Sequence, residues 1–160
     1  MQYDRTLTCA LAWAKEDALE AWVHAYLLSD GDNLPFSEGL RKCERRFLGP
    51  YWMPLRLFCR CAGPVGEGLT YSIHPEVWER NVCHLMDAIS GGEDLAPLIV
   101  NYVIPLGSAE GHFELNDGNH RWEAYHRLGI SSVPVLVWVT TPQEEAQFLD
   151  RYSGICESLL

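Results

Sequence analysis

The chain has 160 residues, with 12 Lys and Arg against 22 Asp and Glu, and a formal net charge of −10. This length suits one compact domain, and 6 Trp, 7 Tyr and 5 Phe exclude disorder as the main state because they supply ample apolar area. The acidic balance argues against nonspecific binding along DNA, which needs clustered cations, yet leaves room for one Arg-lined pocket taking a small phosphate-bearing ligand. Only Lys15 and Lys42 are lysines, so nearly all the positive charge is guanidinium, the better partner for phosphate.

Thr6 to Ala14 looks faintly like a short signal core. Asp4 and Arg5 cancel before it, and Lys15, Glu16 and Asp17 follow at once, so no signal peptide is expected. The longest uncharged run, Leu128 to Gln143, contains Gly129, Pro134 and Pro142 and does not read as a membrane span. In that setting Cys9, Cys43, Cys59, Cys61, Cys83 and Cys156 are expected to be free thiols of a cytoplasmic protein. Cys59 and Cys61 read as alternate residues of a strand, two small hydrophobes on one face. No metal site is expected there, because the usual two-residue zinc spacing is missing.

In chain order, Leu19, Trp22, Val23, Tyr26 and Leu27 set a helix from about Cys9 to Ser29, stopped by Asp30-Gly31. Ser37 opens a second helix to about Phe47, bringing Arg41, Lys42, Arg45 and Arg46 onto what is most simply a solvated face. Gly49 to Gly68 is broken by prolines and glycines and reads as irregular. Residues 1–68 are therefore expected to be a helical N-terminal extension. A core of residues 69–141 follows: a strand Leu69–Ile73, a helix Pro75–Ile89, strands Leu98–Ile104 and His112–Asn116, a helix Asn119–Leu128 and a strand Val133–Thr140. Residues 142–160 are expected to hold a C-terminal helix. The whole is an α+β fold, a mixed sheet covered by helices.

The chemistry is expected where the second core strand ends in Asp117-Gly118 and polar residues open a helix. A helix N-terminus offers unpaired backbone N–H groups and partial positive charge, which suits phosphate. Gly118 lets a phosphate approach the main chain, Arg121 offers a forked donor, and His120 a donor tunable near neutral pH. Asp117 can cap the helix, accept a proton or hold magnesium. Asp-Gly before a helix is also a common turn, in which Asp117 is no more than a cap. Arg121 and Trp122 point about 100° apart on a helix. Arg121 is expected to face the pocket and Trp122 the core.

Pro97 to Val100, the box Asp117-Gly118-Asn119-His120-Arg121 with Ala124, the turn Leu128-Gly129 and the strand Val133 to Val137 together resemble the ParB/sulfiredoxin-like superfamily over about residues 69–140. The resemblance implies a nucleotide-phosphate site formed by Gly118, Asn119, His120 and Arg121. Its members include CTP-dependent partition switches, sulfinic-acid reductases and free-serine kinases. Partition proteins continue into a helix-turn-helix DNA reader that this acidic chain does not show. Sulfiredoxins carry a cysteine directly before His-Arg, where this chain has Asn119. The kinase branch has the nearest box, Asp-Gly-x-His-Arg, and uses a glutamate near the start of the core, for which Glu76 is the candidate.

The resemblance thus implies a nucleotide (ATP, ADP or CTP) with Mg2+ and phosphoryl transfer to a small hydroxylated acceptor, with Asp117, His120 and Glu76 as catalytic candidates. The alternative is a non-catalytic ligand-binding or protein-interaction module that docks, or pairs with a second copy, through the N-terminal helices. In that case Trp13, Tyr51 or Trp52 should be exposed. A ParB-like nuclease is a third reading.

Overall fold

The computed structural model describes residues 1–158. Its elements run α1 (Leu7–Lys15), α2 (Leu19–Leu27), α3 (Leu34–Leu40), β1 (Arg46–Pro54), β2 (Ala62–Pro64), β3 (Tyr71–Ile73), α4 (Pro75–Ser90), β4 (Leu98–Val103), β5 (His112–Asp117), α5 (Asn119–Arg127), β6 (Ser132–Val139), α6 (Pro142–Tyr152) and β7 (Glu157–Ser158). The sheet order is β5-β4-β6-β1-β7. The β4 and β6 strands pair in parallel and the other neighbours antiparallel. The mixed sheet covered by helices is as expected.

The two central strands, LIVNYV and SVPVLVWV, are buried along nearly their whole length, as β-branched runs covered on both faces should be. On one face Leu98, Val100, Tyr102, Val135 and Val137 join Tyr125 of α5 and Phe148 of α6. On the other, Ile99, Leu136 and Trp138 pack against Trp22, Val23 and Leu27 of α2 and Leu40 of α3.

Residues 1–68 are therefore no appended extension. Their helices pack on one face of the central strands, and β1 pairs with β6 from Arg46↔Val139 to Pro54↔Ser132. This strand replaces both the end of the expected second helix and the start of the expected irregular stretch. Its prolines and Gly49 mask it in sequence. They are tolerated because the register shifts between Leu48 and Tyr51 and because the outer neighbour β7 pairs only at Tyr51 and Trp52.

The expected helix Cys9–Ser29 is two helices, since Asp17 adopts a left-handed φ of 56° at the break. The next helix starts at Leu34 rather than Ser37, capped by the Asn33 side chain, which accepts from the Phe36 N–H at 3.2 Å. Ser37 is instead buried inside it, 2.7 Å from His24 Nδ1. The four basic residues do not share a helix. Arg41 caps α3, Arg45 lies over the Trp138 ring, and Arg46 begins β1 and pairs with Glu145.

Cys59 and Cys61 lie in the loop before β2 and not on a strand, and the Cys61 thiol donates to the Leu115 carbonyl at 3.1 Å. All six cysteines are free. The C-terminal helix stops at Tyr152, the chain then enters β7, and residues 159–160 of the expected helix lie outside the described residues. No helix among the described residues is long and apolar enough to cross a membrane.

Candidate functional site

The β5 strand ends at Asp117, and Gly118 turns the chain into α5 with a φ of 102°, a left-handed conformation that favours glycine. A Cβ at this position would lie 2.5 Å from Leu98 Cδ2. Because the N-cap is glycine, no side chain caps the nine-residue helix. The N–H groups of Asn119, His120 and Arg121 consequently have no helical partner. Asn119 and His120 sit at the edge of a cavity of about 930 Å3 that is also lined by Asp117, Gly118, β5 and segments around Asn33, Cys61 and Tyr71. Asp117 is thus not the helix cap. That half of the sequence ambiguity is resolved by Gly118 taking the position.

Asp117 is instead held by ionic and phenolic partners. Its Oδ2 accepts from Arg121 Nη2 at 2.8 Å and from the Tyr26 hydroxyl at 3.0 Å, while Oδ1 has no partner among the described residues. Arg121 also donates to the Tyr26 oxygen at 3.0 Å and the Pro97 carbonyl at 3.3 Å. Both side chains are largely buried, 12% exposed for Arg121 and 16% for Asp117. Burial works against the Arg121 charge, but Tyr26 and Asp117 outweigh it and hold the guanidinium protonated even more firmly than usual.

The expectation that Arg121 faces the pocket is corrected. Its side chain turns away from the large cavity towards a small one of about 140 Å3 beside Tyr26 and His84, because α2 supplies a phenol oxygen that accepts from it. Trp122 does turn inward. Its indole donates to the Phe58 carbonyl at 3.0 Å and packs on the core.

His120 lines the cavity with its ring tilted against that of Trp78, the centroids 4.4 Å apart. Its Nε2 is closed to solvent and has no partner, which leaves Nδ1 as the ring nitrogen able to meet a ligand. Burial, followed by the nearby Arg121 charge, lowers its pKa against the opposing pull of Asp117, so the ring is neutral at neutral pH.

Asn119 serves as a clamp. Its Oδ1 accepts from the backbone N–H groups of Cys61 at 2.8 Å and Ala62 at 3.1 Å, pinning the loop that walls the cavity. Glu76 is not brought to the site. It stands exposed in the first turn of α4 and does not line the cavity. The carboxylate that joins Asp117 there is Glu114 on β5, which the sequence reading passed over. No side chain of Lys or Arg lines the cavity, and no group of three or more His, Cys, Asp or Glu poised for a metal occurs among the described residues.

The model of the ParB N-terminal domain family matches residues 70–149, half of the chain. The chain belongs to this family. The match to the ParB N-terminal domain covers all of β3 to β6 and most of α6, including the whole 117–121 box. It leaves α1 to β2 outside.

Among solved structures the chain is similar to sulfiredoxin from Arabidopsis thaliana, at 23% identity over 66% of this chain and 98% of that one, with a TM-score of 0.40. It is also similar to the C-terminally truncated chromosome-partitioning protein ParB from Caulobacter crescentus, complexed with CTP-gamma-S. There the identity is 20% over 69% of this chain and 53% of that one, with a TM-score of 0.36. The chain thus spans about half the length of that ParB chain. No curated protein matches it.

Proposed function

We propose that the cavity binds a nucleoside phosphate, its phosphates set against the N-terminus of α5. The observation that carries this reading is the uncapped helix start at Gly118 opening onto a cavity of about 930 Å3. Oriented N–H groups at a helix start favour anions, and the glycine lets them come close. The ParB-like box supports the same placement.

The charge around the cavity then sets a requirement on the ligand. Glu114 and Asp117 line it, with no Lys or Arg side chain to offset them. A polyphosphate suits these walls when it brings Mg2+, which is commonly held by one or two carboxylates together with substrate phosphates. The free Oδ1 of Asp117 is the oxygen available to hold it.

With such a ligand the residues suit phosphoryl transfer to a small hydroxylated acceptor. The acceptor oxygen attacks the terminal phosphorus, the bond to the bridging oxygen breaks, and the nucleoside diphosphate leaves. With Asp117 Oδ2 held by Arg121 and Tyr26 and its Oδ1 given to the ion, the acceptor proton passes to the neutral His120 ring. Arg121 holds Asp117 in place and is a positioning residue in this reading. The alternative, an interaction module, draws less support. Trp13, Tyr51 and Trp52 are half-buried, and the Tyr51 ring packs at a tilt against Phe148.

A thermal-shift panel of ATP, ADP, CTP and GTP, with and without Mg2+, tests the reading. A nucleotide at 100 times its Kd stabilises the fold by about 2.7 kcal/mol, or roughly 5–10 °C for a chain of this size. The shift is expected with Mg2+ and should shrink without it. A panel with no shift in any condition would remove the nucleotide reading.

A further inference from the structure

Phe113 to Asp117, all of β5 except its first residue, line the large cavity. The cause is topological. β5 is the outermost strand, paired with β4 on one side, and none of its backbone groups meets other backbone beyond β4 among the described residues. Alternate residues of such a strand turn their N–H and C=O away from the sheet. The Leu115 carbonyl is turned this way, since it accepts from the Cys61 thiol at 3.1 Å. Phe113, two positions earlier in the unbroken part of the ladder, turns to the same side. Its N–H and C=O, and the Leu115 N–H, are left without a partner among the described residues.

This edge faces a walled cleft. Phe36, packed with the core on the α2 side, stands on one flank, and Cys59 and Cys61, which follow Phe58 of the opposite core, stand with Tyr71 on the other. A strand laid beside β5 would run about 4.8 Å from it and send alternate side chains to the two flanks. The sequence HFELND holds neither Lys nor Pro, two of the usual guards of an edge. Charge narrows the choice of strand. Glu114 is half exposed and has the His112 ring as its one partner among the described residues, while no Lys or Arg side chain lines the cleft. A cationic segment complements it.

We propose that β5 is a docking strand, to whose free edge an extended peptide carrying Lys or Arg adds. Main-chain hydrogen bonds supply the affinity and the two flanks select side chains. The ladder skips Asn116 between Leu115 and Asp117, so regular pairing ends there and the docked peptide leaves β5 beside Asp117 and His120. Resting on the nucleoside-phosphate reading above, a serine or threonine at that end of the peptide is the hydroxylated acceptor. Its oxygen bonds to the terminal phosphorus, the bond to the bridging oxygen breaks, the nucleoside diphosphate leaves, and the hydroxyl proton passes to His120.

Fluorescence anisotropy without nucleotide tests docking by itself. The probe is the fluorescein-labelled peptide Lys-Val-Lys-Ser-Val-Lys-Val. One control replaces each lysine by glutamate, and a second is N-methylated at its three central residues. The lysine peptide should bind, and the N-methylated one about tenfold more weakly, the scale of one or two main-chain hydrogen bonds. Glu114→Lys should weaken the lysine peptide about threefold, the scale of one exposed ion pair, and strengthen the glutamate peptide.

The N-methylated peptide keeps every charge. An affinity equal to that of the parent would mean attachment by charge alone and would overturn strand docking. So would no binding of the lysine peptide, or a wild-type preference for the glutamate one. These comparisons need no variant, so a poorly folding Glu114→Lys does not stall the test. Mass spectrometry after incubation with Mg2+ and ATP, CTP or GTP then reads the acceptor. Phosphate on the serine of the docked peptide supports the assignment, and a docked peptide left unmodified by a nucleotide that binds overturns it. Docking with no nucleotide bound in any condition would instead remove the nucleoside-phosphate reading and the acceptor with it, and strand docking would stand.

Discussion

Arg121→Ala is expected to destabilise the protein by about 3–5 kcal/mol, the cost of stranding one partner of a buried ion pair. Arg121 satisfies Asp117 Oδ2, the Tyr26 oxygen and the Pro97 carbonyl at once. Its loss leaves a carboxylate that is only 16% exposed without its counter-charge. For a chain of this size that corresponds to a fall in Tm of roughly 6–20 °C. Removing both charges should restore part of the loss, so Asp117→Asn with Arg121→Met is expected to melt above Arg121→Ala alone. Calorimetry of the three proteins checks the order. Were Arg121→Ala to melt with the wild type while its nucleotide affinity collapsed, Arg121 would be a ligand contact and the ion-pair account would fail.

Trp78→Ala carries the other large effect. Trp78 is only 2% exposed and packs with Val82 and Ala124 between α4 and α5. Its ring supports the His120 ring at 4.4 Å and the Arg60 guanidinium at 5.0 Å. Emptying that volume should cost about 3–5 kcal/mol, with Trp78→Phe costing less. Urea denaturation gives the number. A second consequence is functional. Without Trp78 the His120 ring loses the aromatic surface it packs against, so nucleotide affinity in the folded fraction should fall as well. An unchanged midpoint for Trp78→Ala would show that α4 and α5 do not depend on this contact.

How much of this was legible in the sequence depends on the range of the interactions. Helices α4 and α5 and strands β4, β5 and β6 follow local rules: Pro75 at a helix start, β-branched runs, and glycine after Leu128. They were read within a residue or so at most ends. The β1 strand was not, because Gly49, Pro50 and Pro54 are breakers everywhere except at a bulge beside a two-residue outer strand.

The box at Asp117 to Arg121 was readable as a phosphate-type helix start because glycine and the helix end are local features. The direction of Arg121 was not readable. It is set by Tyr26, ninety-five positions away in the chain. The same holds for the far wall of the cavity. Asn33 looks like an ordinary loop residue, and it is the packing of Phe36 on Trp138 that ties its helix start to the sheet beside the cavity. Glu76 failed for the opposite reason. A first-turn glutamate beside His74 has good local grounds to be where it is, and nothing in that local geometry turns it to the site.

The most direct measurement is amide chemical-shift mapping of the 15N-labelled protein titrated with CTP or GTP and Mg2+. The account places the phosphates at the uncapped start of α5, so the backbone N–H signals of Asn119, His120 and Arg121 should show the largest downfield shifts, saturating together with one Kd. Binding whose shifts avoid those three amides, and cluster on another surface, would contradict it.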